Sequence, residues 1–508
     1  MTGPPRERTP SPGEHDPRPV RAIVFPLAFA QFVASYAATN MNVAISTIAA
    51  DLDTTVVGIQ TTITLFTLTM AALMVAGSKL TDIWGRKRCF VAGLAVYGTG
   101  ALLAALAPGL GLMVFGYSVL EGIGSALLIP PIYILITVAF PDLRTRAKYF
   151  GVVSAAAGLG AAAGPLIGGL ITSAISWRAS FVAQVLAVAW IVFLARRITD
   201  PPRTGRRPRF DLTGAVLSGA GLFLVVLGVL LSSTYGWFES RKAFTVGGVD
   251  VVPKGGVSPV WIFVVAGALV LAWFALHIRR RERVGKDPLL AVRLFRSRTS
   301  DLGLVTQTLQ WLTLQGIFFV VSVYLQQERD YNAVQTGLML TPATAGILLA
   351  SAVAGRMADR HPQRRLIRAG FGATVAGLGL LLVLAHDTTR VLPFVPGLLL
   401  MGIGFGVMLT ASVNVVQSSF AESDQGDISG LSRSVSNLGS SLGVALAGSV
   451  LVAASHPGGR PFVLALTILG TLAAVGWVVA LFLPRKQAPA EPAPPAEPAP
   501  PTEAPSVS

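Results

Sequence analysis

Two ionisable side chains stand inside otherwise uncharged apolar stretches: Glu121 in Leu120-Glu121-Gly122-Ile123-Gly124 and Arg433 in Leu431-Ser432-Arg433-Ser434. A charge in hydrocarbon is expensive, so a residue of either kind there marks a pathway or a relay by default. A carboxyl in that setting is suited to taking up and releasing a proton, and a guanidinium, which keeps its charge, to acting as a fixed cation. Uncharged polar groups that could line a cavity between helices are Gln31, Tyr36, Asn40, Asn42, Gln307, Gln310, Trp311, Gln315, Asn414 and Gln417. Gln307, Gln310 and Trp311 follow i, i+3, i+4 spacing and so fall on one helix face, an aromatic beside amides, which suits amphipathic ligands. Interhelical hydrogen bonding is the competing use of each such amide.

The elements that must position these groups are long apolar helices. The chain has 508 residues, 52% apolar and 13% charged, with a mean hydropathy of +0.64. Fourteen apolar spans stand out, at 22–45, 56–77, 90–107, 112–138, 149–172, 179–195, 212–234, 258–276, 302–325, 336–355, 369–385, 393–418, 428–452 and 461–483. Roughly 20 residues cross the ~30 Å hydrocarbon layer. This composition excludes a soluble globular protein and a disordered one, and predicts an all-α polytopic membrane protein.

The net charge of +15 has a topological reading. Placing the N-terminus in the cytoplasm puts 32 Lys and Arg on the inner side and 7 on the outer, with Arg433 inside a span, which accounts for all 40. That asymmetry predicts a cell-membrane protein with both termini cytoplasmic, and it explains the basicity without nucleic acid. The segments 1–21 and 485–508, both rich in proline, read as disordered cytoplasmic tails. The single cysteine, Cys89, excludes a disulfide framework. No metal-ligand spacing, catalytic set or GxxxxGK[ST] phosphate loop is visible, so an enzyme or an ATP-driven pump is not expected and no cofactor beyond the proton is called for.

The chain repeats itself. Leu120-Glu121-Gly122-Ile123-Gly124 matches Leu400-Met401-Gly402-Ile403-Gly404, and Gly122 and Gly402 each lie 100 residues past block starts at 22 and 302. The loop after the second helix of each block also matches: Leu80-Thr81-Asp82 with Arg86-Lys87-Arg88, against Met357-Ala358-Asp359 with Arg364-Arg365. Two parallel six-helix blocks result, 22–195 and 302–484. An inserted helix pair and the outer loop 235–257 lie within 196–301. Parallel repeats of this kind place a transport site at the interface between halves. Within the loop, Phe244 to Val252 reads as a hairpin over Gly247-Gly248.

The string Leu80-Thr81-Asp82-Ile83-Trp84-Gly85-Arg86-Lys87-Arg88 resembles the loop signature of the major facilitator superfamily, in which Asp82, Gly85, Arg86 and Lys87, with Asp359 and Arg360 in the second half, would form a cytoplasmic gating motif. Ser78 departs from that signature, which usually has Gly there. Gly160-x-x-x-Gly164-Pro165-x-x-Gly168-Gly169 resembles the superfamily's antiporter helix motif, a flat stripe for close helix packing with a proline that permits a bend. Tyr324-Leu325-Gln326 with Thr336-Gly337-Leu338 and Pro342, Gly426-x-x-Ser429-Gly430 with Gly439-x-x-x-Gly443-x-Ala445, and Asn42-Val43-Ala44 resemble the fourteen-helix drug:proton antiporters. The resemblance spans about 22–484. It implies the major facilitator fold and export of amphipathic, drug-like small molecules by proton antiport with alternating access.

The residues depart from that subfamily where coupling would sit. Ala37 stands where its first helix carries Asp, Ser118 where its fourth carries Arg, Glu121 where Gln is usual, and Arg433 and Ser436 where Asn and Arg are. These departures suggest a rearranged charge set in which Glu121 carries the proton and Arg433 is the fixed cation, approaching across the central cavity in one state and separating in the other. The equal reading of Arg433, about two turns from the cytoplasmic end of its helix, is snorkelling to the interface. Met401 at the repeat position of Glu121 indicates that packing alone does not require an acid there. Two other readings fit the same residues: an exporter or facilitator of a natural product or lipid without standard proton coupling, and a membrane sensor or scaffold that transports nothing. The expected partners are the lipid bilayer and a small-molecule substrate, with no nucleic acid, and the chain is expected to act as a monomer.

Overall fold

The computed structural model describes residues 17–140, 143–198, 209–246, 249–295, 297–358, 361–384, 392–417, 420, 425–454 and 460–484. The proposed tails lie outside them except for 17–21, as do Asp359, Arg360 and the Gly247-Gly248 turn. Among the described residues, fourteen helices are long and apolar enough to cross a membrane. The first four are α1 (Pro17–Asn40), α2 (Val56–Trp84), α3 (Arg86–Ala105) and α4, which runs through Leu110–Met113, Val114–Glu121 and Gly122–Ala139. They are followed by α5 (Leu143–Ala174), α6 (Trp177–Ala195), α7 (Leu212–Tyr235), α8 (Pro259–Arg283) and α9 (Arg298–Gln327). The last five are α10 (Ala333–Ala358), α11 (Gln363–Leu384), α12 (Phe394–Gln417), α13 (Gln425–Ala454) and α14 (Pro461–Leu481).

Every expected span is helical, although the first leaves the α-helix at Asn40 for a 3-10 turn over Met41–Val43, and several run past their apolar part, because backbone hydrogen bonding continues where side chains reach the headgroups. α1 starts at Pro17, so 17–21 is helical rather than tail. The expected loop 79–88 is helical except at Gly85, whose φ of 113° lets α2 end and α3 begin around one residue. A side chain at that φ would be strained. The basic run Arg86-Lys87-Arg88 is therefore the first turn of α3, and Lys87 Nζ donates to the Arg196 carbonyl, 3.1 Å away, at the end of α6. The end of the bundle that carries this turn is called the basic end below.

Small residues set the spacing. A Cβ on Gly160 would lie 2.2 Å from the Phe32 carbonyl oxygen, and one on Gly164 2.0 Å from Thr39 Oγ1. Gly168 abuts Asn40, and Gly169 faces the Ala333 carbonyl. The stripe that includes Pro165 thus seats α5 on α1 with three glycines and on α10 with the fourth. α7 and α8 form a closely packed pair, with Gly221 and Gly267 meeting, set against α2 and α13 at the edge of the bundle. β1 (Phe244–Val246) pairs antiparallel with β2 (Val249–Val252), as a hairpin over two residues requires.

Candidate functional site

Glu121 closes a π-helical stretch, Val114–Glu121, inside α4. A π-turn adds one residue to the helix and re-aims the side chains around it. Glu121 is fully buried, and its carboxyl oxygens lie close to the Tyr97 hydroxyl but make no hydrogen bond of good geometry. Gly100 of α3 brings the backbones together: a Cβ there would meet Glu121 N at 2.7 Å.

The neighbours of the carboxyl are hydroxyls. Tyr97 from α3 and Tyr117, one turn back on α4, are both fully buried and in its electrostatic reach. The Tyr97 hydroxyl donates to Gln184 Oε1 on α6, and Gln184 Nε2 donates to the Ser180 carbonyl at 3.4 Å. Ser180 Oγ shares a 2.5 Å hydrogen bond with the Tyr36 hydroxyl and accepts from Asn40 Nδ2 at 3.0 Å. A buried polar cluster therefore runs from Glu121 through α3 and α6 to the far end of α1. Tyr36 and Asn40 were legible in the sequence as polar groups of α1. Tyr97, Tyr117, Ser180 and Gln184 were not singled out, although Ser180 and Gln184 share a face at i, i+4 spacing.

The two positions that lack the subfamily's charges are filled. The Ala37 carbonyl accepts from Tyr117 Oη at 3.1 Å, and Ser118 Oγ donates to the Thr62 carbonyl of α2 at 2.7 Å. Arg433 does not meet Glu121. Its guanidinium lies over the Tyr133 ring, 5.0 Å from the centroid, and donates to the Tyr133 hydroxyl. Tyr133 lies twelve residues beyond Glu121 on α4, roughly 18 Å at 1.5 Å per residue. The expected carboxylate–guanidinium pair is absent from this arrangement because α13 brings Arg433 to the basic end.

The other polar candidates divide by half. Gln307 is spent on α13, donating to Ser436 Oγ at 2.9 Å and accepting from Ser432 Oγ at 3.0 Å. Gln310 turns to α12, accepting from Ser412 Oγ at 2.8 Å, while its Nε2 is unpartnered. Trp311 is half-buried in the apolar core. Gln315 donates across the halves to the Ala38 carbonyl at 3.4 Å. Gln31 donates to Ser35, and its Oε1 has no partner, nor has either side-chain atom of Asn42. Asn414 and Gln417 are half-buried near the basic end of α12. Gln310, Gln31 and Asn42 thus keep polar capacity to offer a ligand.

The halves are latched at both ends. Away from the basic end, Gln326 on α9 accepts from Ser46 N at 3.0 Å and donates to the Asn42 carbonyl at 3.1 Å. At the basic end, Lys79 Nζ on α2 lies 2.8 Å from Asp427 Oδ1 on α13. Between them, Gln60 Nε2 of α2 donates to the Val444 and Ala445 carbonyls of α13 at 3.2 and 3.1 Å. Sequence reading counted Lys79 as topology only, because nothing local shows which helix of the other half will face it. Asp82 is in the last turn of α2.

Comparison with known proteins agrees with this architecture. The sequence profile of the Major Facilitator Superfamily matches residues 27–295, 212–444 and 303–507. A puromycin resistance protein of Streptomyces alboniger is 31% identical over 443 residues, covering 87% of this chain and 83% of that protein. A cephamycin export protein of Amycolatopsis lactamdurans is 29% identical over 442 residues, covering 86% and 85%. A probable actinorhodin transporter of Streptomyces coelicolor is 28% identical over 421 residues, covering 81% and 69%. The human organic anion transporter MFSD10 shares the fold, with a TM-score of 0.58 at 15% identity over 92% of this chain and 100% of that one. With fourteen helices among the described residues long and apolar enough to span a membrane, the chain is a multi-pass membrane protein that belongs to the Major Facilitator Superfamily.

Proposed function

We propose that the protein exports amphipathic, drug-like small molecules in exchange for protons, with Glu121 as the group that carries the proton. One observation carries this reading: the single acid inside the expected spans is fully buried, makes no hydrogen bond of good geometry and sits on a π-turn among hydroxyls. A purely structural acid would be satisfied by donors, because an unpaired buried carboxyl is costly. The export direction and substrate class rest on relatives named for resistance to, or export of, antibiotics.

The mechanism follows from the latches. In the arrangement described, the carboxyl is sealed from both ends. Opening toward one side requires the Gln326 contacts to break, and opening toward the other requires Lys79–Asp427 and Arg433–Tyr133 to break. A proton reaching Glu121 along the Tyr36–Ser180–Gln184–Tyr97 side neutralises the acid. Release of that proton on the other side restores a charge that the apolar surroundings tolerate poorly, which favours the state that rehydrates it. Substrate would occupy the interface between halves, where Gln31, Asn42 and Gln310 hold unspent polar atoms. The basic asymmetry supports a cell-membrane location with both termini in the cytoplasm. The chain would work as a monomer, with no cofactor beyond the proton.

Export of ethidium from proteoliposomes under an imposed pH gradient tests the reading. Gradient-dependent export by wild type that is lost in Glu121→Gln supports it. Gradient-independent export by wild type favours a facilitator, and substrate movement of either kind excludes a non-transporting scaffold.

A further inference from the structure

We propose that the cleft at the basic end of α8 binds the phosphate headgroup of an anionic glycerophospholipid, whose acyl chains lie along the exposed face of the same helix. The cleft has a volume of about 300 Å³ and is lined by His277, Arg280, Arg281, Val284 and Lys286. That is room for a phosphodiester with its polar substituent.

The cleft is a built feature rather than a loose patch. Asp211, 1% exposed, caps α7 through Gly214 N at 2.9 Å and accepts from Leu289 N at 3.2 Å. The same carboxylate takes His277 Nε2 at 3.0 Å and Arg281 Nε at 3.5 Å. Arg281 also donates to the Asp287 carbonyl at 3.2 and 3.0 Å, and Asp287 Oδ2 accepts from Arg209 N at 3.1 Å. Leu289, Leu290 and Leu294 pin the following segment into a small apolar core with Ile278 and Phe274. Asp211 is thereby consumed inside the knot, while Asp287, which is exposed, is held by its carbonyl and by one carboxylate oxygen. Among the described residues the side chains of Arg280 and Lys286 make no hydrogen bond or ion pair. Glu282 lies two residues from Arg280, about 200° around the helix, and does not neutralise it. The cleft therefore presents two cations, Arg280 and Lys286, that no acid among the described residues pairs, above the buried Asp211.

The second observation points to a lipid rather than a free anion. Ile262, Val265, Leu269, Trp273 and Leu276 are 49% to 66% exposed and form one stripe at i, i+3, i+4 spacing. Arg280 continues the stripe one turn beyond Leu276, so acyl chains on the stripe would bring their phosphate to the cleft. Clusters of basic residues at the cytoplasmic end of a spanning helix suit anionic headgroups.

Purified full-length protein in phosphatidylcholine micelles, titrated with phosphatidylglycerol, provides the test. The expected result is retention of phosphatidylglycerol that falls about fivefold for each charge removed in Arg280→Gln and Lys286→Gln, both exposed and outside the packed core. Removing two basic charges elsewhere on the same end, with Arg88→Gln and Arg196→Gln, should leave retention unchanged. Inorganic phosphate at millimolar concentration should not displace the lipid. Equal retention in wild type and the Arg280/Lys286 double variant overturns the proposal. Displacement by inorganic phosphate also overturns it, because the cleft is then a free-anion site.

Discussion

The two halves of the molecule solve the same packing problem and differ at one point. In the first half, a Cβ on Gly100 of α3 would lie 2.6 Å from the Gly116 carbonyl and 2.7 Å from Glu121 N. In the second, a Cβ on Gly377 of α11 would lie 2.8 Å from the Gly397 carbonyl and 2.7 Å from Met401 N. Seven residues earlier, Gly93 and Gly370 make matching contacts with the Gly124 and Gly404 carbonyls, at 2.9 and 2.7 Å. The contacted residues are five apart on α4 and four apart on α12, so α4 holds one extra residue, absorbed by the π-turn. Glu121 with Tyr97 thus occupies the place of Met401 with Thr374. All four are buried, but Thr374 is satisfied by the Gly370 carbonyl at 2.9 Å, whereas Glu121 is not satisfied. The comparison teaches that burial and helix spacing at this position are structural, while the acid and the extra residue are additions to one half only.

Substitutions that treat the shared geometry should hurt both halves alike. Gly124→Leu and Gly404→Leu each push a side chain into backbone 2.5 Å away, and each should cost about 3 kcal/mol or prevent folding. Thermal unfolding in detergent that spares one of them would break the equivalence. Tyr97→Phe removes the donor to Gln184 and should cost about 1–2 kcal/mol, with gradient-driven export slowed severalfold. Thr374→Val should cost no more and leave the dependence on the gradient unchanged. If both variants alter that dependence equally, the asymmetry does not concern protons.

The latch at the basic end should respond to a smaller change. Asp427→Asn weakens a partly buried pair by about 1–2 kcal/mol, which shifts the balance toward the arrangement open at that end. Labelling of a cysteine introduced near Ser78, in a background with buried Cys89 replaced, should rise several-fold. Unchanged labelling would remove the pair from the gating account. The smallest effect concerns Asp51, which a hydrogen bond from Arg178 holds below the usual carboxylate range. A carboxylate lowered in the folded protein contributes stability above its ordinary range and loses it as pH falls through the lowered value. The pair is well exposed, so Asp51→Asn should cost at most about 0.5 kcal/mol at neutral pH and nothing measurable in strong acid, as melting temperatures will register.

The fourteen spans, the repeat and the glycine stripe of α5 were legible because hydropathy and small-residue spacing are properties of one segment. Glu121 was legible because it is an acid with no charged neighbour in sequence. Its surroundings were not. Nothing in 114–121 distinguishes a π-turn from an α-turn, since the extra residue shows only when α4 is laid against α12. Tyr97 and Gln184 come from two other helices. Arg433 was read as meeting Glu121 in one state and separating in the other, and in this arrangement the register of α13 gives it Tyr133. Lys79 and Asp427 lie 348 residues apart, beyond any local signal.

The most direct test compares the same acid in the two halves: ethidium export from proteoliposomes under a pH gradient, for wild type, Glu121→Gln and Glu121→Gln with Met401→Glu. The account predicts gradient-driven export for wild type and its loss, by more than tenfold, in both variants. An acid at 401 lacks the π-turn and the tyrosines, and so should not replace Glu121. Gradient-driven export that persists in Glu121→Gln would contradict the account, placing the proton elsewhere and leaving Glu121 a structural group.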